Sequence, residues 1–202
     1  MKHIKPYKIF ESTSPNSPTT KEGVIEVCEK YEIENYIIND DLSIDVDGDV
    51  ELDSKNLKYL PLKFNYVSGY FTCARNKLKT LKGSPQTVNG GFFCHHNELK
   101  SLEGCPQTVD GNFICNDNKL TDLEHFPEVN GIILLIGGNP VNLLVYTFIN
   151  KADSFMIEDF VDYEIVRNGD TVMLDRLQTF ISGNDLEMPD LDKIKKRYKI
   201  IE

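Results

Sequence analysis

NKLKTLKGSPQTVNGGFFCHH, residues 76–96, is followed without a gap by NELKSLEGCPQTVDGNFICND, residues 97–117. Laid one over the other, the two stretches repeat Asn, two leucines, Gly, Pro-Gln-Thr-Val, a second Gly, Phe and Cys in place, so the period is 21 residues. Carried outward, the period gives a first leucine column Leu57, Leu78, Leu99, Leu120 and Val141, and a second Leu60, Leu81, Leu102, Leu123 and Leu144. Two more columns read Val50, Phe71, Phe92, Phe113 and Leu52, Cys73, Cys94, Cys115. Apolar residues two apart predict a short strand with one face inward. An asparagine column follows, Asn76, Asn97, Asn118 and Asn139, broken by Lys55 in the first coil. Such an asparagine turns the chain, because its amide both donates to and accepts from neighbouring backbone. Identical residues at one period stack as ladders, since each coil buries its apolar side only against the next.

The frame Φ-x-Cys-x-x-Asn-x-Leu-x-x-Leu resembles the leucine-rich repeat family, and within it the short-period bacterial type with prolines on the return side. Pro85, Pro106 and Pro127 stand there, with Phe64 in the first coil. Proline supplies an extended, non-helical return, so thin coils are expected. The wording also resembles small repeat proteins of bacteriophages, a likeness that spans about the middle half of the chain and implies no activity. The fold class expected is an α/β solenoid of five coils with a parallel sheet, an N-terminal helix-hairpin cap and a C-terminal helical cap. The expected divisions are a flexible segment 1–18, the N-terminal cap 19–45, the solenoid 46–138 and the C-terminal cap 139–202.

Composition is that of a soluble globular protein: 40% hydrophobic and 27% charged residues in 202, with a net charge of −10. Each of the segments 1–45, 46–138 and 139–202 is net acidic. Nucleic-acid binding by counterion release therefore lacks its basic footprint. The basic run Lys193–Lys199 reads as a solvated helix face or tail. No apolar run is long enough for a membrane span, and no secretion signal is expected at the N-terminus, which lacks an apolar core and a small-residue cleavage site. Five cysteines, three of them in one ladder, point to a reducing compartment, so a cytoplasmic location is expected, the host cytoplasm for a phage protein.

Before the repeats, Ile4, Tyr7, Ile9 and Phe10 make the first dozen residues a candidate docking peptide or a loose terminus, and Ser12–Pro18 reads as linker. Thr19 with Glu22 reads as a capping box, and Val24, Val27, Cys28 and Tyr31 form the stripe of a helix over 20–31. Tyr36–Ile38 and Ile44–Val46 read as short strands. After the repeats, three helices are expected: one after Asn139-Pro140, one around Phe155–Tyr163, and one over Met173–Ile181. The apolar run Ile132–Ile136 calls for cover on both faces.

Candidate chemistry is sparse. Asp45, Asp47 and Asp49 around Gly48 imitate a calcium loop, but Ser54 stands where such a loop needs glutamate, and Gly48 belongs to the period with Gly69, Gly90 and Gly111. The cysteine ladder is expected in the core rather than on a metal, because structural zinc ligands come in close pairs. No nucleophile elbow or phosphate loop is present. Ubiquitin-ligase effectors of the resembled class need a catalytic cysteine after the repeats, and none follows Cys115. An enzyme site in the C-terminal part would have only Asp159, Asp162, Glu164 and Asp175 to draw on. No cofactor and no metal is expected.

A surface remains. The outward strand column is Glu51, Thr72, Phe93, Ile114 and then Leu135, flanked by Asp49, Tyr70, Gly91, Asn112 and by Asp53, Ala74, His95, Asn116. Tyr70, Thr72, Phe93, His95, Asn112, Ile114 and Asn116 are the candidate partner-binding residues of a concave face. The expected function is non-enzymatic protein binding, for a phage protein the binding of a host protein, and the alternative is a structural or assembly protein that self-associates or forms an accessory part of a phage particle.

Overall fold

The computed structural model describes residues 17–135, 138–139, 160, 163–167, 170–196 and 198–202. The first element is helix α1 (Lys21–Lys30). Its N-cap is Thr20, whose side chain accepts from Gly23 N–H at 3.1 Å, so the capping residue is one later than the Thr19 expected. Val24 and Cys28 of the stripe are buried. Strands β1 (Tyr36–Ile38) and β2 (Ile44–Val46) follow as an antiparallel hairpin.

From β2 onward the chain winds as a stacked β-solenoid. The strands alternate between two sheets: β3 (Val50–Glu51), β4 (Phe64–Val67), β5 (Phe71–Thr72), β6 (Thr87–Val88), β7 (Phe92–Phe93), β8 (Thr108–Val109), β9 (Phe113–Ile114), β10 (Glu128–Val129) and β11 (Ile133–Leu134). One sheet runs β1-β2-β4-β6-β8-β10 and the other β11-β9-β7-β5-β3; every pair but β1–β2 is parallel. About four complete turns lie between the β2–β3 and β10–β11 rungs, and the fifth coil expected is not completed among the described residues. Val141 and Leu144, which would continue a fifth, lie outside the described residues.

The return side is therefore itself a sheet, and the α/β expectation does not carry to the turns. The reason lies in Pro-Gln-Thr-Val. Proline has no N–H for a ladder, and here the ladder starts one residue later: Gln86 N–H donates to Asn65 C=O at 2.8 Å, Gln107 to Gln86 at 2.8 Å, and Glu128 to Gln107 at 2.9 Å. Thr and Val then supply the β-branched residues that suit a strand. At the corner between sheets, Gly69, Gly90 and Gly111 each donate N–H at 2.9 Å to the glycine of the turn before. A Cβ on Gly90 would lie 2.6 Å from the carbonyl carbon and oxygen of Gly69, so the backbones stack where a side chain has no room.

Inside, both leucine columns from Leu57 to Leu123 are buried. Phe71, Phe92 and Phe113 stack with centroids 5.5 and 6.0 Å apart and rings within 7° of parallel. Phe64 and Phe126 close the stack edge-on at its two ends. Cys73, Cys94 and Cys115 are free and fully buried beside it.

Among the described residues, the C-terminal part is mixed rather than helical. Strands β12 (Val166–Arg167), β13 (Thr171–Met173) and β14 (Lys199–Ile201) form a sheet in that order, β12–β13 antiparallel and β13–β14 parallel. Helix α2 (Leu174–Gly183) carries the expected buried face Leu177, Phe180 and Ile181. Helix α3 (Leu191–Lys195) buries Ile194 and leaves Lys193 and Lys195 exposed. Of the two other helices expected, Phe160 is helical and buried, Tyr163 stands in a turn and is exposed rather than helical, and residues 140–159 and 161–162 lie outside the described residues. No helix among the described residues is long and apolar enough to cross a membrane.

Candidate functional site

The outward face of the five-stranded sheet is built by its register. Glu51 pairs with Thr72, Thr72 with Phe93, Phe93 with Ile114, and Ile114 with Leu134. The fifth member of the column is thus Leu134 and not Leu135, which is 2% exposed and continues the buried column of Cys115. The step from Gly111 to Gly131 is 20 residues, and Asn139 still bonds into the turn of Asn118, so the compensating residue lies between Leu135 and Asn139. The apolar strip is Phe93, Ile114 and Leu134, all half-buried. Ile132 beside it is 70% exposed, so the cover expected over both faces of this run does not reach it among the described residues.

Each candidate residue has a defined place. Phe93 leans sideways over Gly91, where a Cβ would come 2.5 Å from the ring, and its centroid is 6.2 Å from that of Tyr70. Gly91 is what lets the ring lie down. Thr72 is half-buried between Glu51 and Phe93. The Tyr70 hydroxyl donates to the Glu51 carboxylate, and its N–H donates to Asp49 at 2.8 Å. The bond to Glu51, partial burial and the two carboxylate charges push the Tyr70 pKa up to about 12. Asn112 is exposed and its Oδ1 accepts from Ile132 N–H at 2.9 Å, which ties the last two rungs together. Asn116 donates to Asp117.

His95 lies edge-on to His96 at 5.3 Å and its Nδ1 is buried without a hydrogen-bond partner. Burial, with the Arg75 and His96 charges, lowers its pKa, so the ring is neutral near pH 7. Ala74, placed in the outward flank by alternation, is instead fully buried.

The first rung differs from the others in charge. Asp45, Asp47, Asp49, Glu51 and Asp53 occupy alternate positions, and each reaches to the second turn: Asp45 accepts from Asn65, Asp47 from Ser68, Asp49 and Glu51 from Tyr70, and Asp53 pairs with Arg75 at 3.3 Å. The face therefore grades from anionic at β3 to apolar at β11.

The chain was compared with protein-family models, curated proteins and solved structures. None matches. Among the described residues, no group of three or more His, Cys, Asp or Glu side chains is arranged to hold a metal ion. Cys73, Cys94 and Cys105 are held well above the usual thiol range by burial, which suits packing rather than ligation. Of the C-terminal acids, Glu164 is exposed and paired with Arg167 and Arg176 at 2.8 and 2.7 Å, and Asp175 is exposed in the first turn of α2. Asp159 and Asp162 lie outside the described residues.

Two contributors to the face went unread in the sequence, Leu134 and Gly91's accommodation of Phe93. The first had a signal, the 20-residue glycine step. The second had none, because a glycine column gives no direction for a neighbour's ring.

Proposed function

We propose that the chain is a non-enzymatic protein-binding module of the short-period leucine-rich repeat type, working in a reducing cytoplasmic compartment through the outward face of its five-stranded sheet. The observation that supports this most is the strip Phe93–Ile114–Leu134 with Tyr70 beside it: large apolar groups in adjacent rungs on a solvent-facing sheet, where alternation would ordinarily place polar ones. Aromatic and aliphatic anchors with a polar rim have the composition of a binding hot spot. A rigid stack presents them at little ordering cost.

Affinity capture from the native cell's lysate tests the reading, using the parent beside a Phe93→Glu, Ile114→Glu variant first shown to fold. A partner retained by the parent and lost by the variant is the expected result. Recovery of the same proteins by both would remove the face from the account. A second reading, self-association through the last rung, draws on the exposure of Ile132 at the sheet edge formed by β11. Sedimentation as a monomer at high concentration would remove it.

A further inference from the structure

We propose that Asn130 is a site of spontaneous deamidation, an amide-to-acid change that the fold permits at the corner before β11 and hinders at the matching corner of Asn89. The inference goes beyond the reading of the face as a binding surface and stands without it.

In an Asn-Gly pair the glycine nitrogen can reach the asparagine Cγ, because glycine has no side chain to hinder the approach. A bond forms between that nitrogen and Cγ while the Cγ–Nδ2 bond breaks. The proton of the glycine N–H passes through solvent to the departing amide nitrogen, which leaves as ammonia, and a cyclic imide remains. Water then opens the ring, at the side-chain carbonyl to give aspartate or at the main-chain carbonyl to give isoaspartate. No oxidant or reductant takes part. The reaction asks for a glycine nitrogen that can give up its proton and move, and for water at the same place.

Val88-Asn89-Gly90 and Val129-Asn130-Gly131 put the same three residues at the same corner, between a strand of the return sheet and the next strand of the candidate face. Both asparagines are exposed and both tether Nδ2, Asn89 to the Tyr66 hydroxyl at 2.7 Å and Asn130 to the Asp110 carboxylate at 2.9 Å. The two sites differ at the attacking nitrogen. Gly90 N–H donates to Gly69 C=O at 2.9 Å, and Gly90 C=O accepts from Gly111 N–H at 2.9 Å, so this nitrogen is locked inside the glycine ladder. Attack there must first break a ladder bond. Gly131 follows Gly111 by 20 residues instead of 21, and the ladder stops short of it: among the described residues its N–H meets no acceptor. The next N–H, that of Ile132, bonds to Asn112 Oδ1 instead. Gly131 is also exposed, where Gly90 and Gly111 are half-buried.

Either product alters the last rung. The amide that donates to Asp110 becomes a carboxylate facing a carboxylate, so an attraction turns into like-charge repulsion. Isoaspartate also routes the main chain through Cβ and Cγ, which adds one backbone atom between residues 130 and 131. That joint delivers Ile133 to Phe113 and Leu134 to Ile114, so the change falls on the apolar end of the face.

The test is peptide mapping by mass spectrometry of the full chain, incubated in mildly alkaline buffer both folded and unfolded in guanidinium chloride. Val-Asn-Gly is common to the two sites, so the unfolded chain should convert them at similar rates. In the folded chain the mass gain of the acid, and isoaspartate scored by isoaspartyl methyltransferase labelling, should accumulate at Asn130 severalfold faster than at Asn89. The third Asn-Gly pair, Asn168-Gly169, lies outside the described residues and is left out of the ratio. Conversion of Asn89 as fast as Asn130 or faster in the folded chain, a folded ratio no greater than the unfolded one, or an unconverted Asn130 over a period in which the unfolded chain reacts would overturn the inference. Capture of a partner at the face would survive any of these results.

Discussion

Asn97 shows what the period asks of one side chain. Its Oδ1 accepts from Leu78 N–H at 2.9 Å, one turn back, and its Nδ2 donates to the carbonyls of Cys73 and Cys94 at 3.0 and 3.1 Å. Asn76 and Asn118 repeat the pattern, and Asn139 accepts from Leu120 N–H and donates to the Cys115 carbonyl in the same way. An amide both donates and accepts in this geometry, so Asn97→Ala leaves the Leu78 N–H unpaired and takes one of two amide donors from each of the Cys73 and Cys94 carbonyls, which keep Asn76 and Asn118. A loss of about 1–3 kcal/mol is expected, read from urea denaturation. Asn97→Asp should be no better, because a carboxylate would face those carbonyls. Tyr70 gives a residue-scale prediction in pH. Its folded pKa, about 12, lies above the unfolded value near 10. The folded state therefore holds the proton more tightly, and the contribution is complete below pH ~10 and lost as pH rises toward 12. Burial and Cys28 also raise the Tyr36 pKa, so spectroscopic titration should show late-ionising tyrosines of which the latest is lost in Tyr70→Phe, and a titration curve unchanged in the variant would refute the assignment.

Among the elements, the sheet that carries the candidate face was legible in the sequence and the return sheet was not. Φ-x-Cys gives two inward apolar residues two apart, which is a strand signal. Thr87–Val88 and Thr108–Val109 are two residues each, too short for any periodicity, and their ladder partners are 21 residues away. Proline marked them as extended without saying that they pair. The C-terminal strands were hidden for the same reason, being two or three residues long beside a helix with a clear stripe. The N-cap was displaced by one because Thr19 and Thr20 are adjacent and only the structure shows which one turns its oxygen to Gly23. The glycine corner that joins the two sheets supplies the prediction at this scale. Gly90→Ala inserts a methyl group 2.6 Å from Gly69 backbone, which cannot rotate away. A cost of about 1–3 kcal/mol in denaturation is expected, the usual range for overpacking. Gly183→Ala, with nothing within 4 Å, is the control and should stabilise or leave α2 unchanged.

At the scale of the molecule, the solenoid is a stack of nearest-neighbour contacts whose ends differ. One end carries α1, the hairpin and five carboxylates that bond forward to the second turn; the other carries the apolar rung that follows the 20-residue step. The resulting gradient along the sheet, from Glu51 through Phe93 to Leu134, is a property of no single repeat. It depends on the register of the last rung, because moving that register by one residue exchanges Leu134 for Leu135 and turns the strip's end inward. Urea denaturation of Leu134→Glu beside Leu135→Glu tests this most directly. The expected result is a cost of more than about 3 kcal/mol for Leu135→Glu, which buries a carboxylate in the core, against less than about 1 kcal/mol for Leu134→Glu on the face. Equal costs, or the larger cost at Leu134, would contradict the register and with it the face on which the function is read.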